Sequence, residues 1–222
     1  MSENKSRNPT DQSVGFFYFT EMMRLLFFLS LFLCFGSSLP PGELIHRFIV
    51  LPTSQLSIHG KTNVNTFTCA IKTYAGTDTL ILKEGGLLQK PVFIKGRVAL
   101  LARHFDCGMK VMTTDFCETL QYKKHPAIVI QFYSFQKLPK DLNSSSPFKG
   151  TLGISLAGVS KLFEMPCRIT PKSNEIIELS GERSFMFSDF NLTPPEKMMG
   201  MIKTQQELKV SFKLDLLLDT TF

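Results

Sequence analysis

Histidines and cysteines are the residues of this 222-residue chain that could do chemistry. No histidine stands in a local nucleophile signature such as the elbow turn of serine hydrolases. Cys107 follows Asp106 and lies near His104, and such neighbours can lower the pKa of a thiol. Adjacent side chains on an extended segment point to opposite sides, however, and these three cannot converge. The sequence therefore predicts no catalytic residue and no enzyme activity. The four histidines are His46, His59, His104 and His125.

The sequence also lacks metal, cofactor and nucleic-acid signals. It has no CxxC motif, no histidine pair at ligand spacing and no glycine-rich phosphate loop. The net charge is +6, and the basic residues are scattered without a dense Lys/Arg run, which does not suit nucleic acid. This charge gives a mild bias toward anionic surfaces and predicts at most transient contact with a membrane. The oligomeric state stays open, a homodimer included.

Residues 1–38 are interpreted as an N-terminal extension with a signal peptide. Residues 25–35 form an apolar core that ends in small residues, which is the pattern of a secretory signal. The core is shorter than the about 20 residues of a transmembrane helix. We therefore predict a periplasmic or secreted protein after cleavage. The alternative is a membrane anchor through residues 16–35.

Four cysteines remain once the leader is removed. An even number in an exported chain is typical of disulfides, and four cysteines allow three complete pairings. Cys117 falls in a predicted helix and Cys167 on the inner side of a predicted strand, where a free thiol behaves as a small hydrophobic side chain. The other two are Cys69 and Cys107.

The last predicted strand has the clearest periodicity. Apolar and polar residues alternate from Glu207 to Leu218, and successive strand side chains face opposite sides of a sheet. One face is therefore dry, and the other, which includes Asp215, is wet. At about 40 Å the strand is too long for one small helix to cover, so a second sheet or a closed barrel must do so.

About eight such segments with turn residues between them predict an all-β antiparallel domain. A sandwich and an up-and-down barrel both satisfy the pattern. The long strands favour an eight-stranded barrel, whose interior is either filled or holds one small ligand. One short helix is predicted around residues 113–122, capped by residues 113–115, with Met112, Phe116 and Leu120 on one face.

The apolar interior is the main candidate site. So many phenylalanines on long strands leave room for a hydrophobic tunnel, and an apolar ligand gains about 25 cal/mol for each Å² that it buries. Methionines in the 194–203 loop adapt to varied apolar shapes and could line the barrel mouth as a gate. The candidate ligand-binding residues are Phe67, Phe132, Leu152, Ile154, Phe163, Phe185, Phe187, Met198, Met199, Met201, Val210, Phe212 and Leu214.

A series of motifs across most of residues 54–218 resembles the YceI-like family. No single motif is diagnostic, but their order and spacing are moderately specific. The motifs are LSIHGKTNVNTFTC at 56–69, FDCG at 105–108, HPAI at 125–128, GISLAGVSK at 153–161, SDFNLTPP at 188–195 and MMGMIK at 198–203.

The resemblance implies an exported, lipocalin-like barrel at residues 54–220, preceded by a spacer and first extended piece at 39–53. It implies a lipid-like amphiphile of polyisoprenoid or quinone type inside the barrel, and a carrier or reservoir without catalysis or cofactor. Cys69 and Cys107 both lie in family-like motifs, so the resemblance favours a disulfide between them. The alternative is a filled-core barrel that acts as an envelope interaction or stress-response module.

Overall fold

The computed structural model describes residues 44–71, 73–85, 89–136 and 146–219. The signal-peptide prediction at 1–38 therefore lies outside the described residues. Twelve strands, one α-helix and two short 3-10 helices are found in the described ranges. The strands are β1 Ile45–Val50, β2 Gln55–Thr62, β3 Thr66–Ile71, β4 Thr79–Lys83, β5 Val92–Lys95, β6 Arg97–Leu101, β7 Ala127–Phe135, β8 Phe148–Leu156, β9 Val159–Pro171, β10 Ile176–Met186, β11 Glu196–Lys197 and β12 Ile202–Leu218; the helix is α1 Lys110–Thr119, and the 3-10 helices are Ala102–His104 and Phe187–Phe190.

The strands close into an antiparallel barrel. Its ring runs β1–β4–β5–β7–β8–β9–β10–β12 and closes where β1 pairs with β12. Three further strands extend the wall of this ring. Strand β2 pairs with β12, as β1 does, and β3 pairs with β2; strand β6 pairs with β7, as β5 does. The predicted all-β, eight-stranded barrel with one short helix is confirmed.

Strand β12 forms the seam of the barrel because it is long enough to serve three partners. Residues 204–213 pair with β2, residues 216–218 pair with β1, and residues 207–217 pair with β10 on the other side. The strand starts at Ile202, earlier than the predicted Glu207. The sequence predicts that so long a strand must be covered by a second sheet or a closed barrel. In the structure, the length of β12 lets it pair with both β1 and β10, which closes the barrel.

The predicted alternation of β12 holds with one exception. Phe212, Leu214 and Leu216 are buried, and Lys213 is exposed. Asp215 was expected on the wet face, and this expectation is wrong, because only 5% of the residue is exposed. The chain folds over it at the break between β1 and β2.

Hydrogen bonds surround Asp215 at this break. Thr53 Oγ1 donates to its carboxylate over 2.5 Å and Lys172 Nζ over 2.6 Å, and its backbone N–H donates to Ser54 Oγ over 3.0 Å. Burial alone raises the pKa of Asp215, but the hydrogen bonds from Lys172 and Thr53 outweigh burial and lower the pKa overall. The ionised carboxylate therefore fastens the seam of the barrel.

Helix α1 begins earlier than predicted. Its N-cap is Met109, which makes no side-chain capping hydrogen bond, so the expectation that residues 113–115 cap the helix is wrong. Thr113 lies inside the helix, where its Oγ1 accepts a hydrogen bond from the backbone N–H of Cys107 over 3.0 Å. The helix is thereby attached to the segment that precedes it.

The wall of the barrel likewise begins before residue 54. Strand β1, within the stretch interpreted as spacer and first extended piece, pairs with β4 and with β12. It contributes Phe48 and Val50 to the core. The first extended piece is therefore a barrel strand.

The barrel has two unlike ends. We call the end where β2 turns into β3, at residues 62–66, the open end; β8 also turns into β9 there, and β11 precedes β12 there. The other end, where β9 turns into β10 at residues 171–176, is the filled end. Neighbouring strands of the ring run in opposite directions between these two ends.

Candidate ligand cavity

A cavity of about 460 Å³ occupies the open end of the barrel. Side chains of β2, β3, β7, β8, β10 and β12 line it. From the helix, Met112 and Phe116 of α1 and the C-cap residue Leu120 also line it. Most lining side chains are apolar, and pockets of this kind recognise ligands mainly by burying apolar surface. The cavity suits a hydrocarbon chain better than a polar substrate.

The floor of the cavity lies at one level on three strands. On each strand a residue that lines the cavity is followed, two positions nearer the filled end, by a buried residue that does not line it. Residues two apart on a strand share a face, so the boundary between hollow and filled interior passes between them. The pairs, lining residue first, are Ile130 and Phe132, Ile154 and Leu152, and Val210 and Phe212.

A continuous chain of phenyl rings fills the interior beyond this floor. Phe212 and Phe132 have ring centroids 6.0 Å apart, and Phe132 and Phe93 5.5 Å. Phe135 follows at 4.9 Å from Phe93, and Phe148 at 4.8 Å from Phe135. Such tilted and edge-to-face pairs stabilise by about 0.5–1.5 kcal/mol beyond the burial of their area. The barrel is thus hollow at one end and solid at the other.

Polar contacts hold the rim of the cavity together. Lys197 Nζ of β11 lies 2.7 Å from the Asp115 carboxylate of α1, and both residues line the cavity. In the β2–β3 turn, Asn63 Nδ2 donates to the carbonyl of Met201 over 2.8 Å, and Asn63 Oδ1 accepts from the N–H of Lys203 over 2.9 Å. The helix, the β2–β3 turn and the β11–β12 turn therefore form one connected mouth.

A disulfide joins Cys69 of β3 to Cys107, which stands just before α1. It is the pair that the family resemblance implies. Next to it, Ala70 and Asp106 form an isolated antiparallel bridge. These links attach the start of α1 to the barrel wall, and Cys69 itself lines the cavity.

The structure divides the thirteen candidate ligand residues into groups. Four of them, Phe132, Leu152, Phe212 and Leu214, are buried in the filled half and do not line the cavity. Sequence alternation gives the facing of a side chain but not its height along the barrel, so these four could not be separated from the others. The candidates that line the cavity are Phe67, Ile154, Phe185, Phe187 and Val210.

Phe163 and the methionines also lie apart from the lining. The Phe163 ring packs edge-on against Phe185, with centroids 4.9 Å apart, under the guanidinium of Arg183. The methionines are exposed because the turn between β11 and β12 passes through three left-handed residues at 198–200. Their side chains point away from the interior. They are Met198, Met199 and Met201.

Sequence reasoning did not select several residues that line the cavity. The helix face of Met112, Phe116 and Leu120 was recognised as a face, but nothing in the sequence places it over the barrel interior. Ile128 and Ile130 alternate in phase with Phe132, so periodicity could have found them.

The cavity holds little reactive chemistry. Among the described residues, no group of three or more His, Cys, Asp or Glu could hold a metal ion. The thiols of Cys117 and Cys167 are free and buried. Burial raises the pKa of both thiols, that of Cys167 to about 12, and neither residue lines the cavity.

The part of the chain that the structure describes contains no helix long and apolar enough to cross a membrane.

No protein-family model matches the sequence, and no curated protein matches it significantly. Among solved structures, BcnA of Burkholderia cenocepacia superposes with a TM-score of 0.54 at 17% identity, over 73% of this chain and 96% of that one. A polyisoprenoid-binding domain from Saccharophagus degradans, implicated in plant cell wall breakdown, also gives 0.54, at 9% identity, over 79% of this chain and 100% of that one. The YceI protein of Campylobacter jejuni gives 0.45 at 15% identity, over 60% and 73%.

Fold and cavity together define the class: a closed, eight-stranded, lipocalin-like barrel with a hollow end. The chain shares this fold with BcnA and with the polyisoprenoid-binding domain. The eight-stranded barrel that the resemblance implies is thereby confirmed. At sequence identities of 17% and 9%, the similarity to these two proteins is one of fold.

Proposed function

We propose that this chain is an exported YceI-like protein that binds a lipid-like amphiphile in its barrel and acts as a carrier or reservoir without catalysis. The observation that carries the proposal is the apolar cavity of about 460 Å³ behind a mouth with charged groups. This cavity favours the proposal over the alternative of a filled-core barrel that acts as an envelope interaction or stress-response module.

The free energy of binding comes from burying hydrocarbon. At about 25 cal/mol per Å², a chain that buries on the order of 250 Å² gains about 6 kcal/mol before the costs of association. No directional polar contact is required for this gain. A polyisoprenoid or quinone tail has the right character, since either is a flexible apolar chain with a polar end.

The polar end of the amphiphile lies at the mouth. Lys197 and Asp115 line the cavity there as an ion pair, and Thr62 and Asn65 line it from the β2–β3 turn. These groups offer both donors and acceptors, which suits a hydroxyl or carbonyl better than a strongly charged head. The interior offers no comparable groups.

The rim makes transient contact with an anionic membrane surface during loading. Val64, Val111 and Met199 are 64%, 71% and 106% exposed around the mouth, and Lys61 and Lys110 are exposed beside them. Apolar side chains with flanking lysines are the combination that inserts shallowly into anionic bilayers. Flotation with phosphatidylglycerol vesicles tests this contact. Binding lost in V111E/M199E but kept in L162E, on the outside of β9, is expected; equal binding by both variants contradicts it.

Filling the cavity tests the binding function. Ile154→Phe and Val210→Phe place a ring in the cavity, and Leu162→Phe adds the same ring on the outer surface, where Leu162 is 66% exposed. We expect the purified chain to bind farnesol, measured by native mass spectrometry and calorimetry, and the two cavity variants to lose binding at least tenfold while L162F keeps it. A folded wild-type chain that binds neither farnesol nor any lipid from a cell extract contradicts the proposal.

Export is tested separately from binding. Sequencing the N-terminus of the protein recovered from the periplasm or medium is expected to place it near residue 39. A mature chain that keeps residues 1–38 contradicts the signal peptide and favours the anchor through 16–35.

A further inference from the structure

We propose that the phenylalanine floor is a length gauge, which restricts the bound chain to about three isoprene units or the equivalent hydrocarbon length. This inference rests on the proposed function, because it concerns which amphiphile the same cavity accepts. It names Phe132 and Phe212 as the residues that determine specificity for length.

The volume of the cavity sets the limit. A water-sized group occupies about 30 Å³ in a liquid, and a methylene group is of similar size. A cavity of about 460 Å³ therefore holds on the order of 15 such groups. A farnesyl chain fills it, whereas a long polyprenyl chain must leave most of its length outside.

The floor does not yield easily to a longer chain. Phe132 is fully buried and Phe212 is 3% exposed, and each ring is held by its neighbour at 6.0 Å. Phe132 is also held from the filled side by Phe93. Moving either ring would disturb a close-packed aromatic chain, and close-packed cores resist such changes.

The strand next to β12 is also shaped for this floor. Gly181 of β10 is the cross-strand partner of Phe212, and a Cβ atom at Gly181 would lie 2.7 Å from the Phe212 ring. The missing side chain leaves the space that the ring occupies. The ring therefore lies over Gly181 of the neighbouring strand, and its contact with Phe132 of β7, at 6.0 Å between ring centroids, closes off the filled half at this level.

The position of the floor determines how the binding affinity depends on the length of the ligand chain. Each methylene that still fits inside strengthens binding by roughly fourfold, and groups beyond the limit remain at the mouth or in water and add nothing. Affinity is expected to rise from geraniol to farnesol, and then to level off or fall for geranylgeraniol and solanesol.

Competition calorimetry with these four prenols, at matched detergent, measures the gauge. Affinity that stops rising at farnesol supports it. Affinity that keeps rising through solanesol overturns the gauge and leaves lipid binding intact. Absence of binding for all four alcohols contradicts the proposed function as well. A failure of the length gauge alone can therefore be distinguished from a failure of lipid binding.

Variants of the floor give a second readout. Phe132→Leu and Phe212→Leu shorten the floor with a modest loss of volume, and Phe148→Leu removes the same atoms at the far end of the aromatic chain, away from the cavity. The floor variants are expected to move the preferred length toward geranylgeraniol, with a gain of at least fivefold for that alcohol, and F148L is expected to keep the preference for farnesol. Unchanged preference in both floor variants, with folding verified by circular dichroism, overturns the assignment of Phe132 and Phe212.

Discussion

Lys197 and Asp115 connect β11 to α1 through an ion pair of 2.7 Å at the mouth of the cavity. The two residues come from segments far apart in the chain, and both side chains line the cavity. A ligand of the proposed function passes this mouth, so the pair lies on its route. The pair is partly exposed, so its contribution is that of a surface salt bridge, about 0.2–1 kcal/mol.

Removing the pair should speed the exchange of ligand. Lys197→Ala is expected to raise the dissociation rate of farnesol roughly twofold to fivefold, measured by stopped-flow displacement, with a smaller effect at high salt. Lys203→Ala is the control, since Lys203 pairs only loosely with Glu196, at 3.8 Å, on the same turn. Equal acceleration in both variants would show that the turn, and not the ion pair, limits exchange.

Acid should weaken the seam of the barrel through Asp215. Its pKa is lowered in the folded state, so the stabilisation is complete above the unfolded-state pKa of about 3.9. It is lost as the pH falls through the folded value. Asp215→Asn is expected to cost about 1–2 kcal/mol at pH 7, since Lys172 is partly exposed.

Urea unfolding of wild type and D215N between pH 7 and pH 3 measures this effect. The difference between the two free energies of unfolding should stay constant above about pH 5 and shrink below about pH 4. Glu164→Gln, which removes an exposed pair with Lys149, is the control and should change stability by less than about 0.5 kcal/mol. A difference that grows as the pH falls contradicts the assigned direction of the pKa.

Strand periodicity made the fold of this chain predictable and left the site only half predictable. The alternation of Phe212, Leu214 and Leu216 states which side of β12 is buried, and that prediction is correct. The burial of Asp215 was not predicted, because the break that covers Asp215 is a tertiary feature, formed where β1 and β2 meet β12. Local sequence does not encode such a contact.

Strand alternation does not predict how far along the barrel axis each inward side chain lies. Ile130 and Phe132 share a face and an apolar character, yet one lines the cavity and the other forms its floor. The difference arises from rings on two other strands, Phe93 of β5 and Phe212 of β12, which pack against Phe132. Sequence reasoning therefore grouped Phe132 with Val210 as lining, and only the packing separates them.

The buried thiols should resist modification in the folded protein. Only the thiolate reacts with iodoacetamide, and burial raises the pKa of Cys117 and of Cys167. In the mature chain without residues 1–38, neither is expected to be alkylated at pH 8 within an hour, and both should react once urea unfolds the chain. Peptide mass spectrometry locates the label. Rapid labelling of Cys167 without denaturant would contradict the packing of the filled half.

Reduction of the disulfide should loosen both the fold and the mouth. The Cys69–Cys107 bond spans 38 residues, and loop-closure entropy then predicts a loss of about 3–4 kcal/mol when it is broken. Because Cys107 precedes α1 directly, the helix should also separate more readily from β3, and farnesol should dissociate faster. Urea unfolding and stopped-flow displacement with and without dithiothreitol measure the two effects. The C69S/C107S variant is the control: it should match the reduced wild type and be insensitive to dithiothreitol. If dithiothreitol leaves the stability of the wild type unchanged, the two cysteines do not form this bond in solution.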